Sequence, residues 1–262
     1  MTRKLFITLI LFPALSFLSP IENNVFSDSV PKTNLPGIAD YNSQQRILDI
    51  APPAGYKRIR VAGNSFPEWL REIRIKKDSR VFLYNGELKK NQHAQFAVLD
   101  IPVGKKDLQQ CADAVMRLRA KYLFDNNQFK DISFEDNNGK KYSYSSVNAG
   151  SFEKYLEKVF AYCGTLSLER QMHQVNNFEA MQPGDVLIQG GSPGHAVIVV
   201  DMAVHASGKK VYLLAQSYMP AQDIHILKNP GNPGYNPWYE LNANSLIFTP
   251  EWTFTQLHLR RW

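Results

Sequence analysis

The chain has 262 residues, 44% of them hydrophobic and 21% charged, and its 30 basic and 24 acidic side chains leave a net charge of +6. That is ordinary globular composition. A charge balance this mild, with no arginine-rich or aromatic–basic motif, argues against nucleic acid as a partner.

In chain order, Arg3 and Lys4 precede an apolar run from Leu5 to Leu18, with small residues at Ser16 and Ser19. These are the parts of a secretory signal, assigned to residues 1–20. The run is short for a bilayer core, which takes about 20 apolar residues, and Pro13 works against a membrane helix. No later apolar run approaches that length, so no transmembrane segment is expected after signal cleavage. The expected location is outside the cytoplasm, periplasmic or extracellular, where envelope polymers are the natural ligand pool. Two cysteines, Cys111 and Cys163, are too few for a disulfide framework and allow one bridge at most there.

Residues 21–55 are rich in Asn, Ser, Pro and Asp and read as an extended or partly disordered leader. Residues 56–262 are expected to form a single α+β domain. Ser65-Phe66-Pro67-Glu68 has capping-box spacing ahead of an amphipathic helix. Asn85-Gly86 marks a hairpin, and Gln95 to Val103 a buried strand. Asp107 to Leu123 predicts a helix with Leu108, Cys111, Val115, Leu118 and Tyr122 along one stripe. A second hairpin is expected around Asn137-Asn138-Gly139, and a second long helix over Phe152–Tyr162 with Gly164 as its stop. From Pro183 the pattern changes to strands at Asp185–Gln189, His195–Met202 and Val211–Ser217. Helices followed by an antiparallel sheet place the chain in the α+β class.

The chemistry-bearing pattern is Cys111 near the start of a helix and His195 opening a strand after the Gly190–Gly194 turn. Thiol catalysis needs a base to take the proton and a third polar group to hold the imidazole. Gln216, Ser217 and Asp223 are the candidates for that group. Strand parity leaves Gln216 and Ser217 open, because it depends on the turn at Ser207-Gly208. Against catalysis, Cys111 lies on the apolar stripe, a full turn inside a helix capped by Asp107, where a cysteine is a small hydrophobe. Cys163 reads as core. The remaining histidines lack metal-ligand spacing, so no metal is expected, and no cofactor loop is present because Gly190-Gly191-x-x-Gly194 precedes a strand. The aromatic stretches Asn236-Pro237-Trp238-Tyr239 and Pro250-Glu251-Trp252 could face a sugar or peptide, or anchor packing.

Three segments carry a resemblance: Leu108 to Ala120 around Cys111, Pro183 to Asp201 around His195, and Ala215-Gln216-Ser217-Tyr218 through His225. Together with Trp69-Leu70-Arg71, Tyr84-Asn85-Gly86 and Pro250-Glu251-Trp252, they resemble the exported bacterial family named domain of unknown function 4846, over roughly residues 50–262. That resemblance implies no established activity. A more distant likeness of layout, to papain-like cell-wall cysteine peptidases and CHAP amidases, implies a papain-like core. It would make Cys111 the nucleophile, His195 the base and Gln216 the orienting group. The expected function is therefore a cysteine hydrolase acting on cell-wall peptide or glycan material. The alternative is a non-catalytic envelope-binding or structural domain with Cys111 as packing.

Overall fold

The computed structural model of the protein describes residues 46–145, 151–242 and 246–262. The expected signal sequence, residues 1–20, and residues 21–45 of the expected leader lie outside the described residues. The leader's last residues are tied down, because Ile47 and Ile50 are buried in the main core.

The first half of the chain carries β1 (Tyr56–Arg58), α1 (Phe66–Arg71), β2 (Gln95–Val98), α2 (Cys111–Asp125), β3 (Ser133–Glu135) and β4 (Lys141–Ser143). Then come α3 (Phe152–Tyr162), α4 (Thr165–Gln171), β5 (His173–Gln174), β6 (Val186–Gln189), β7 (His195–His205) and β8 (Lys210–Gln216). The chain closes with β9 (His225–Leu227), β10 (Tyr239–Glu240), β11 (Ile247–Phe248), β12 (Thr253–Phe254) and β13 (Leu259–Arg261). Nine strands make one sheet in the order β2-β9-β8-β7-β6-β13-β5, with β1 added to β7 and β10 to β8. Its pairings are antiparallel, so the expected α+β class holds.

β6 and β7 are apolar on both faces because both faces are covered. On one side Ala196, Ile198 and Val200 meet Val115, Met116 and Leu118 of α2 in the main core, which also takes in residues of α1, α3 and α4. On the other side Val197, Val199, Leu214 and Leu259 pack with Phe178, Tyr212 and Phe254. A register shift between Val199 and Asp201 carries Asp201 to a fully buried position. There its carboxylate accepts Nε–H from both Arg58 and Arg71 at 2.6 Å, tying β1 and α1 to β7. Removing one partner of such a buried cluster costs about 3–5 kcal/mol.

Several expected boundaries move: the strand expected over Gln95 to Val103 ends at Val98, and the one expected to end at Met202 runs on to His205. The helix expected from Asp107 begins at Cys111, and Gln110 is its N-cap residue. Asp107 does not cap it because its carboxylate already accepts the Ala221 N–H at 2.7 Å, tying this loop to the segment after β8. Asp113 Oδ2 takes the Gln110 N–H at 3.0 Å instead. At Gly164 the chain does not simply stop. Cys163 caps α3 in an extended conformation, and Gly164 starts α4, a short helix the periodicity had not shown. No helix among the described residues is long and apolar enough to cross a membrane.

Candidate functional site

His195 is placed by the loop before it. A Cβ on Gly194 would strike the Gly191 carbonyl and come within 2.6 Å of Thr165 Oγ1, and one on Gly190 would meet Glu169 Oε2 at 2.5 Å. Without side chains there, the loop lies directly on α4. Gly190 donates to Glu169 Oε2 at 3.2 Å, and Thr165 Oγ1 donates to the Gly191 carbonyl, also at 3.2 Å. The imidazole then sits 1% exposed among Tyr218, Trp252 and Phe254, with ring centroids 4.9, 5.3 and 5.9 Å away.

Behind His195 runs a buried polar relay whose direction follows from what each partner can donate. His225 Nδ1 lies 2.9 Å from the Asp223 carbonyl, which only accepts, so Nδ1 carries the proton and Nε2 is bare. Gln216 Nε2 uses its two hydrogens on His225 Nε2 at 3.4 Å and on Glu251 Oε2 at 2.7 Å. The Gln216 carboxamide is thereby oriented from two sides, and its oxygen faces His195 Nε2 at 2.8 Å. His195 must donate from Nε2, which leaves Nδ1 as the unprotonated nitrogen, the form a base requires. Glu251 is held in turn by Lys89 Nζ at 2.6 Å and Asn91 Nδ2 at 3.2 Å.

Cys111 is the first residue of α2, where backbone N–H groups have no intrahelical partner. Its own N–H, that of Ala112 and that of Ala196, the neighbour of His195, all point to the sulfur and favour thiolate. Burial outweighs them and, with the charge of Asp113, pushes the thiol up to about 11. Burial likewise pushes His195 down to about 4 and His225 down to about 3. The resting pair is thus neutral thiol and neutral imidazole. By strand alternation His195 shares the face of Val197 and Val199, while α2 covers the other face. The start of α2 and the start of β7 nevertheless open into one cavity of about 330 Å³. It is lined by Cys111, Asp113, Cys163, His195, Tyr218 and Trp252 among others. That volume falls at the small end of ligand pockets, which span about 300–1,000 Å³.

The structure thus brings Cys111 and His195 to one cavity and Gln216 to His195. Of the other two candidates for the third position, Ser217 donates its hydroxyl toward the Gln109 and Gln222 carbonyls, and Asp223 pairs with Lys76 and takes the Phe82 N–H. Cys163 shares the cavity wall, and both cysteines are free. Among the described residues no cluster of three or more His, Cys, Asp or Glu could hold a metal ion. Sequence reasoning missed Lys89, His225 and the role of Glu251. The signals for the last two are the resemblance segments, which include His225 and Pro250-Glu251-Trp252, but the sequence assigns neither a part in holding His195.

The family described as Domain of unknown function (4846) matches residues 47–151 and residues 145–261. The chain belongs to this family. No curated protein and no solved structure matches it. In this member of the 4846 family, the first matched segment contains Cys111 and the second contains His195, Gln216 and Glu251. The family description assigns no chemistry to any of them.

Proposed function

We propose that the protein is an exported cysteine hydrolase of papain-like layout that cleaves peptide or amide bonds in cell-wall peptides. The observation that carries this reading is the direction of the relay. Asp223, His225 and Glu251 orient the Gln216 carboxamide so that His195 donates from Nε2 and keeps the lone pair on Nδ1, and His195 and Cys111 line the same cavity. Export is supported by residues 1–20, which have the composition of a signal sequence.

In this mechanism the substrate carbonyl carbon is attacked by the Cys111 sulfur as His195 Nδ1 removes its proton. Because both groups rest neutral, proton transfer accompanies attack rather than preceding it. The carbonyl oxygen gains charge and is received by backbone N–H groups of the first turn of α2, which have no intrahelical partner, the usual provision for an oxyanion. The C–N bond then breaks, the imidazolium returns the proton to the leaving amine, and an acyl thioester remains on Cys111. Water attacks that thioester with His195 again as base, releasing the acid and restoring the thiol.

The test is labelling of the folded protein with iodoacetamide followed by peptide mapping. Cys111 is expected to react and Cys163 not, with a slower rate at Cys111 in His195→Ala. Equal reaction at both thiols, or at neither, overturns the hydrolase. The second reading, a non-catalytic envelope-binding domain, is favoured by one observation: burial holds Cys111 as neutral thiol. It predicts the same absence of selective labelling.

A further inference from the structure

We propose that the cavity selects substrates carrying a free ammonium group beside the scissile amide, with the Asp113 carboxyl group as the counter-ion. This inference rests on the hydrolase reading for the scissile amide but on separate residues for the ammonium.

Asp113 is 6% exposed and lines the cavity two residues after Cys111. Its Oδ2 is engaged by the Gln110 N–H. Its Oδ1 is buried and makes no hydrogen bond among the described residues. A buried polar atom without a partner is costly, and a ligand is one way to satisfy it. Asp113 shares the cavity wall with both thiols, Cys111 and Cys163.

The rest of the wall agrees in sign. Among the described residues, the carboxyl groups on that wall are those of Asp107 and Asp113. No lysine or arginine among the described residues lines the cavity, although the chain carries 30 of them. Arg117, one turn beyond Asp113, directs Nη1 to Glu153, and its charge favours the ionised Asp113 without a hydrogen bond to it. Tyr218 and Trp252 add aromatic faces of the kind that favour cations. Burial pushes Asp113 up to about 8, so the empty site avoids an uncompensated charge, and an arriving ammonium supplies the compensation.

Two probe pairs separate this inference from the hydrolase reading. L-alaninamide, a cation, is compared with neutral N-acetyl-L-alaninamide as a thermal stabiliser, which requires no reaction at Cys111. Alanyl chloromethyl ketone is compared with its N-acetyl form as a label for Cys111. The expected result is stabilisation by the cation alone, and labelling at least about tenfold faster with the free amine, as one charge-assisted hydrogen bond allows. Both preferences should vanish in Asp113→Asn, which keeps an oxygen for the Gln110 N–H and so preserves the helix start. Equal stabilisation by the two amides in the wild-type protein, or a preference that persists in Asp113→Asn, overturns the ammonium site. Selective stabilisation with no labelling at Cys111 by either ketone keeps the ammonium site and overturns the hydrolase.

Discussion

Gln216 presents its oxygen, not its nitrogen, to His195 Nε2 at 2.8 Å, because both of its N–H groups are taken by Glu251 and His225. Loss of this contact should release the imidazole tautomer while leaving the ring packed among its aromatic neighbours. In Gln216→Ala, ¹⁵N NMR of the His195 ring should show a mixture of protonation sites where the wild type shows Nε2–H alone. The Cys111 labelling rate should fall about 10- to 100-fold, part of the 10²–10⁴ that a placed base contributes. An unchanged tautomer would mean that packing, not Gln216, orients the ring.

Glu251 and Lys89 form an ion pair with side chains only 12% and 7% exposed. Glu251→Gln should strand the Lys89 charge and lower stability by about 3–5 kcal/mol. Pairing it with Lys89→Met should restore much of that stability, because the buried charge is gone. The labelling rate should stay low in the double variant, since Gln216 has still lost a carboxylate partner. Urea unfolding and labelling of the four proteins in one cycle measure both effects.

A methyl group at Gly194 would collide with Gly191 and Thr165. Gly194→Ala should therefore lift the loop from α4, lower stability by about 1–3 kcal/mol and slow labelling of Cys111 by displacing His195. Ser192→Ala, in the same loop and more exposed, serves as the control and should change neither.

Buried titratable groups make stability depend on pH in two opposing ways. His195 and His225 sit at about 4 and 3 when folded, below their ordinary 6.5, so the unfolded chain binds more protons across that window. Their effect is a loss of stability as pH falls below about 6.5. Asp113 sits at about 8 when folded, above its ordinary 3.8, so the folded chain binds more protons between those values. Its effect is a loss of stability as pH rises through that range. Asp113→Asn should therefore gain on the wild type as pH rises from about 4 to about 8, as measured by chemical denaturation. A constant difference across that range would place Asp113 in an ionised state throughout. For the hydrolase, the depressed His195 should keep the base available down to about pH 4, moving the acid limb of any pH–rate profile well below 6.5.

Much of the architecture was legible in local pattern. The α3 helix, the cap at Ser65, the positive-φ glycines at Gly86 and Gly139, and the strands from Val186 to Gln216 follow from residue spacing and turn chemistry. Such signals arise within a few residues of one another, so sequence carries them directly. Where α2 begins was not legible, because Asp107 has the residue type of a cap and only the Ala221 N–H, 114 positions away, diverts it.

For the site, sequence alone determined the residue types: one cysteine ahead of a helix, one histidine opening a strand, and polar candidates at the end of the next. Only the tertiary structure decided between Gln216 and Ser217, since a one-residue change of register exchanges the faces of a strand. Only it brought in Lys89, His225 and Glu251, whose contact with Gln216 depends on segments far apart in the chain. It also set the balance between the two readings of Cys111, activated thiol and buried small hydrophobe. Position at the helix start favours thiolate, but nearly complete burial favours thiol, and burial is a property of the whole fold rather than of any stretch of sequence.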